Sequence, residues 1–337
     1  MEYLIFCGDT DLNGASLDNI TTDKWIPFND HTRVWYASPG KISDNLVKQV
    51  ERQKPDILFI VGLFSWHFNI VPVIFCKGPK KILSTRGMLH PGALSQKKWK
   101  KKTFLSCLKL LEYHHSISFH ATDEEEEKYI LEKFGLPAKV FIAGNFPNNI
   151  GILPMTDKES GCLKLISIAI VSPMKNILWV LKELERAKGR IQYDIYGPVK
   201  DEDYLDECKA QIKRLPANIV AKLHKEIEPP RVAEVLQEAH VFILPSKSEN
   251  FGHAFYEALS AGRPVITSHF TPWNHLRESH AGINVSLDDN ELSEAIDFFV
   301  SMNKDEFTQW HHSAVTYAQK AVDVENIRDE YRRMFLG

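Results

Sequence analysis

The chain is poor in cysteine and has no closely spaced cysteine pair. Its five thiols, Cys7, Cys76, Cys107, Cys162 and Cys208, are odd in number and far apart. That pattern excludes a disulfide framework and a CxxC zinc or redox motif, and it suits reduced thiols in a cytoplasmic protein. An excess of charge of one sign is missing as well. With 41 Lys and Arg against 44 Asp and Glu the formal charge is −3, so attraction to nucleic acid or an anionic membrane has to come from a local patch. No apolar run approaches the roughly 20 residues of a membrane span. The N-terminus lacks the basic region, apolar core and cleavage site of a signal peptide. Low complexity is confined to Glu124–Glu127, and there is no internal repeat beyond two similar halves.

What the chain does have is length and apolar content. At 337 residues and 44% hydrophobic it exceeds one ordinary core, and about 150 residues per domain predicts two domains with a cleft between them. Short β-branched or aromatic runs alternate with amphipathic stretches. Tyr3–Cys7, Arg33–Ala37, Asp56–Val61, Lys81–Thr85, Ile117–Ala121 and Val140–Ala143 read as one set of strands. After a polar stretch near 148–162, Lys164–Ile170, Gln192–Tyr196, Ile219–Leu223, Val241–Leu244, Pro264–Thr267 and Gly282–Val285 read as a second. The alternation predicts an α/β protein of two doubly wound domains, 1–150 and 151–320. A last helix lies within 321–337, with Ile327, Tyr331, Met334 and Phe335 on one apolar face. Periodicity does not decide which domain it packs on; the N-terminal domain is one outcome.

The chemistry concentrates in Ser246–Pro264. Val241–Pro245 reads as a buried strand, Ser246–Asn250 as a polar loop and Phe251–Ala261 as a helix stopped by Gly262 and Pro264. Ligands of open α/β sheets sit beyond the carboxyl ends of the strands. Amides of Phe251, Gly252 and His253 at a helix start would suit a diphosphate. Glu257, within the helix, could accept from two ribose hydroxyls, and Glu249, on the loop, from those of a second sugar. Two carboxylates beside an anion site require a ligand with hydroxyls as well as phosphates, as a nucleotide sugar has.

The string PSKSENFGHAFYEALSAGRPVI, with Tyr193–Pro198 and Val171-Ser172-Pro173-Met174-Lys175-Asn176 upstream, resembles the E-x7-E signature of the retaining family-4 glycosyltransferases. Ser84–Pro91 and His120–Glu125 carry a narrower resemblance in the first half. The resemblance implies the two-domain GT-B fold and a hexosyltransferase acting without a metal or cofactor, with a UDP- or GDP-sugar as co-substrate. It also implies a glycan or polyprenyl-diphosphate-linked acceptor, as in bacterial surface polysaccharide or lipopolysaccharide synthesis. It places the ribose on Glu257, the hexose on Glu249, the sugar and phosphates on Phe251, Gly252 and His253, and the diphosphate on Lys175. Gly197 and Asn250 join the donor side.

The chain departs from that pattern in three places. Ile170 stands where the family has a second diphosphate-binding cation, an Arg; Lys247 or Arg86 is expected to replace it. The family's opening strand and Gly-Gly loop are not matched by Met1–Cys7 and Gly8–Gly14, so either Met1 is not the natural start or the acceptor side is trimmed. Arg86, with His90 a turn on, occupies the place of a histidine and is an acceptor-side candidate; it cannot act as a base. A catalytically impaired nucleotide-sugar-binding subunit is therefore the alternative. An epimerase would need groups for proton abstraction, and none is identified.

Among weaker signals, Lys97, Lys98, Lys100, Lys101 and Lys102 around Trp99 could hold the protein peripherally on the inner face of a membrane; a solvated helix face explains them equally. Asp201-Glu202-Asp203 looks like a metal-binding DxD but reads better as a helix start. His114-His115 and His311-His312 are not chelates, since helix neighbours diverge. Trp273 is either a pocket wall or a core aromatic.

Overall fold

A computed structural model describes residues 2–11, 14–90, 94, 101, 105, 116–135, 138–287 and 290–337. Lys97, Lys98, Trp99, Lys100, Lys102, Cys107 and the His114-His115 pair lie outside the described residues. The chain forms two compact units, 1–146 with 325–337, and 147–324. No described helix is long and apolar enough to cross a membrane.

In the first unit β1 (Tyr3–Gly8) pairs in parallel with β3 (Thr32–Ala37), and β2 (Trp25–Asn29) runs antiparallel along the other side of β3. β2 has no counterpart in the sequence reading. Pro27 argues against a strand, yet β2 is an edge strand with a register shift between Pro27 and Asn29, where a missing N–H is tolerated. A parallel sheet follows, in the order β4 (Ile57–Val61), β5 (Lys80–Ser84), β6 (Ser118–Ala121), β7 (Lys139–Ile142). Its core gathers Ile60, Leu83, Phe119, Ile130 and Phe134. Helix α1 (Ile42–Gln53) follows β3, α2 (Val71–Phe75) follows β4, and α3 (Glu124–Phe134) follows β6.

The second unit is a six-stranded parallel sheet. Its strands are β8 (Cys162–Ile168), β9 (Arg190–Tyr196), β10 (Ile219–His224), β11 (Val241–Leu244), β12 (Val265–Ser268) and β13 (Gly282–Val285), ordered β10-β9-β8-β11-β12-β13. All four residues of β11 are buried, as expected for a strand covered on both faces. The connecting helices are α4 (Ile177–Leu184), α5 (Glu202–Ile212), α6 (Val232–Gln237), α7 (His253–Ser260), α8 (Glu291–Ser301) and α9 (Lys304–Ala321). The chain winds outward from β8 through β9 to β10, then returns to the other side of β8 at β11. The order reverses between β8 and β11, and a parallel sheet opens a crevice for ligand at such a point.

The last helix, α10 (Val324–Leu336), joins the first unit almost entirely. Phe335 packs edge-on to Phe59 and Tyr331 lies against His120. Glu330 accepts from the Gly144 N–H at 3.0 Å, and Lys80 donates to the Met334 carbonyl at 3.0 Å.

Candidate active site

The loops leaving β8 and β11 meet where the strand order reverses. After β8 the backbone turns at Val171–Lys175 and reaches Asn176, whose φ of 59° sets the start of α4. After β11 the Lys247 N–H donates to the Met174 carbonyl at 2.9 Å, joining the two loops. That junction brings Lys175 against Glu249, 74 positions later. The Lys175 ammonium is hydrogen-bonded to Glu249 Oε1, and the Ser246 hydroxyl donates to the same oxygen at 2.8 Å. The side chains are 21% and 11% exposed, so the pair is partly withdrawn from water yet reachable. The loop is held from a third side by the turn after β12, since the Glu249 N–H donates to the Phe270 carbonyl at 3.2 Å.

Helix α7 begins two residues later than the sequence suggests, at His253. Gly252 adopts φ 75° as its N-cap, and that left-handed residue is what delays the helix. The first-turn amides therefore start at His253, with Phe251 and Gly252 preceding the helix. Trp273, 3% exposed, donates from Nε1 to the Phe251 carbonyl at 2.6 Å and supports the loop from below; it belongs to the core. A Cβ on Gly252 would lie 2.4 Å from Cδ2 of the fully buried Phe255. Strain and clash together predict that Gly252→Ala costs about 1–3 kcal/mol and misplaces the helix start. Thermal unfolding and donor titration check this; unchanged values in both would count against it.

Glu257 is half-buried on α7 and accepts from Asn148 Nδ2 at 3.2 Å. Burial raises its pKa, and the Asn148 bond offsets part of that shift. Lys247 and Asn250 are exposed on the loop. Gly197 is required by close approach: a Cβ there would fall 1.8 Å from the Ala169 carbonyl oxygen. The same contact ties the loop after β8 to the loop after β9, with Val171 N–H donating to Pro198 O at 2.9 Å. Ile170, half-buried, sits in this join.

Arg86 and His90 belong to the first unit, at the carboxyl end of β5. Arg86 has φ 48° and Gly87 φ 71°, a left-handed pair in which the Arg costs roughly 1–2 kcal/mol. The guanidinium donates to Asn145 Oδ1 at 2.7 Å and hydrogen-bonds the Tyr331 hydroxyl. Exposed His90 stands edge-on to Tyr129 at 5.6 Å.

His120, fully buried, bridges Ser84 Oγ and the Ala143 carbonyl, each at 2.8 Å. A carbonyl can only accept, so Nε2 carries the proton and Nδ1 accepts from Ser84. Burial pushes its pKa down, which favours the neutral ring.

Asp201 caps α5, accepting from the Tyr204 N–H at 3.0 Å, which accounts for the DxD-like run as a helix start. The sequence reading missed Ser246, Asn148 and Glu126. Only the last had a legible signal, since Asp123 three residues before Glu126 has the spacing of a capping box.

Residues 155–313 match the family model described as glycosyl transferases group 1. No curated protein matches the chain in sequence. Among solved structures the chain is similar to HepE of Anabaena in complex with UDP and glucose, with 15% identity, 99% of each chain covered and a TM-score of 0.69. It is similar to a sucrose-phosphate synthase from Thermosynechococcus elongatus, with 16% identity, 99% of this chain and 89% of that one covered, and a TM-score of 0.66. It is also similar to S. aureus TarM in complex with fondaparinux, alpha-GlcNAc-glycerol and UDP, with 14% identity, 88% of this chain and 59% of that one covered, and a TM-score of 0.65. The chain therefore has the GT-B fold, and its residues 155–313 are similar to the glycosyl transferases of group 1.

Proposed function

We propose that the protein transfers a hexose from a UDP- or GDP-sugar to a glycan or lipid-linked acceptor, with retention at the anomeric carbon and without a metal. The observation that carries this reading is the Lys175–Glu249 pair at the sheet's reversal point, with α7, which bears Glu257, starting four residues after Glu249. Lys175 would neutralise the departing diphosphate, Glu249 would hold hexose hydroxyls, and Glu257 the ribose. The anomeric C–O bond to the diphosphate breaks as the acceptor oxygen bonds to the same carbon. The acceptor proton passes to the departing phosphate oxygen, so no protein base is needed. HepE, whose structure holds UDP and glucose, supports a uridine nucleotide as the first donor to try. Lys247 is the candidate in the second unit for the cation that Ile170 does not supply, and Arg86 is the candidate in the first unit for holding a substrate oxyanion. A surface-polysaccharide role with peripheral membrane contact is the cellular context this reading favours.

The test is a titration with UDP-glucose and GDP-mannose without added metal, followed by donor hydrolysis. Glu257→Ala is expected to weaken donor binding by about tenfold to a hundredfold, since charge-assisted hydrogen bonds contribute roughly 1.5–3 kcal/mol each. Unaltered affinity would remove Glu257 from the ribose. Ile170 favours a second reading, a nucleotide-sugar-binding subunit, and binding without hydrolysis or transfer would select it.

A further inference from the structure

The run Glu124–Glu127 looks like a solvated helix start, yet one of its four carboxylates is 4% exposed. Glu126 points away from water and accepts four hydrogen bonds. Its Oε1 takes the Thr85 hydroxyl and the Gly87 N–H, each at 2.5 Å. Its Oε2 takes the Thr122 N–H and hydroxyl, each at 2.8 Å. No Lys or Arg pairs with it among the described residues. Burial alone would raise its pKa, but the bonds from Thr85, Gly87 and Thr122 outweigh that and bring it below the usual range. A buried carboxylate without a counter-ion is stable only where hydrogen bonds replace its lost hydration, as these four do.

Those donors show what the geometry serves. Thr85 and Gly87 flank Arg86, the residue held at φ 48°. An ionised carboxylate has acceptor sites on both oxygens and no proton to present, so Glu126 ties both sides of the turn to Thr122 and the start of α3. Arg86 is thus fixed at its backbone by Glu126 and at its side chain by Asn145 and Tyr331. We infer that Glu126 is a positioning residue that aims the Arg86 guanidinium at a substrate oxyanion. This rests on the role given to Arg86 under the proposed function.

Glu126→Gln keeps the shape but turns an amide NH2 toward donors. Two measurements test the inference. The first is the Arg86 Nε–H resonance, identified by its loss in Arg86→Lys, which is expected to move in Glu126→Gln. Should that variant fail to fold, Thr85→Val removes a single bond to Glu126 and is expected to move the resonance less. The second is a double-mutant cycle on kcat/KM for UDP-glucose hydrolysis. Arg86→Ala and Glu126→Gln are each expected to lower it about tenfold, and the double variant no further than Arg86→Ala. A purely structural Glu126 would instead give multiplying losses of about a hundredfold, which overturns the inference, as does an unmoved resonance. If the wild-type protein binds and hydrolyses neither UDP-glucose nor GDP-mannose, the functional reading fails, and the resonance alone decides whether Glu126 aims Arg86.

Discussion

Lys175→Ala is expected to lower glycosyl transfer by about 10² to 10³, the range for removing one preorganised donor from developing negative charge. Two effects act in the same direction. The variant loses the cation expected at the departing diphosphate, and it leaves Glu249, only 11% exposed, with Ser246 as its remaining side-chain donor among the described residues. An unpaired carboxylate would then face an anionic ligand. It follows that adding Glu249→Gln to Lys175→Ala should recover part of the donor affinity while turnover stays low. Steady-state kinetics and donor titration on the two variants measure this. Turnover within a few-fold of wild type for Lys175→Ala would remove Lys175 from the chemistry.

Acid is expected to unfold the second unit well before its carboxylates are neutralised. His240 and His311 are 1% and 3% exposed, and each pKa is lowered from 6.5 to about 4. Burial is the main cause for both. Lys158, Lys164 and Arg263 add positive charge around His240, and Arg263 and His312 do so around His311. Arg263 is itself fully buried, held by the Leu236 and Pro154 carbonyls. His240 accepts from the Lys164 N–H at Nδ1 and donates from Nε2 to the Asp157 carbonyl, so a second proton would face a donor. The unfolded chain takes up these protons near pH 6.5 and the folded one near 4, so the stabilisation is complete above pH 6.5 and lost as pH falls toward 4. At roughly 1.4 kcal/mol per pKa unit each histidine contributes about 3–4 kcal/mol. Urea unfolding between pH 7.5 and 4.5 should show the loss, with a shallower slope for His240→Gln. A flat profile in the wild-type protein would refute it.

The strands were legible because both units are built on parallel sheets, whose buried strands stand out as apolar runs. β2 was hidden because it is an edge strand with a proline. The residues of Ser246–Pro264 could be read, but their partners could not. Lys175 meets Glu249 only because β8 and β11 become neighbours at the reversal, a property of strand order that spacing does not record. The bend at Gly252 that delays α7 was present in the sequence as a lone glycine beside a plausible helix start. Glu126 was concealed by its own neighbours: its spacing from Asp123 signals a capping box, and Asp123 does cap the helix, but the glutamate side chain turns to Thr85 and Gly87.

The membership of α10 in the first unit sets an order of events during synthesis. The strands of that unit leave the ribosome first, the whole of 147–324 follows, and only then does the helix bearing Tyr331 and Phe335 emerge. The second unit, continuous in the chain, can complete its core while Phe59 and His120 still await their cover. The unit begun first is therefore finished last, and in the interval it carries exposed apolar surface of the kind that draws chaperones.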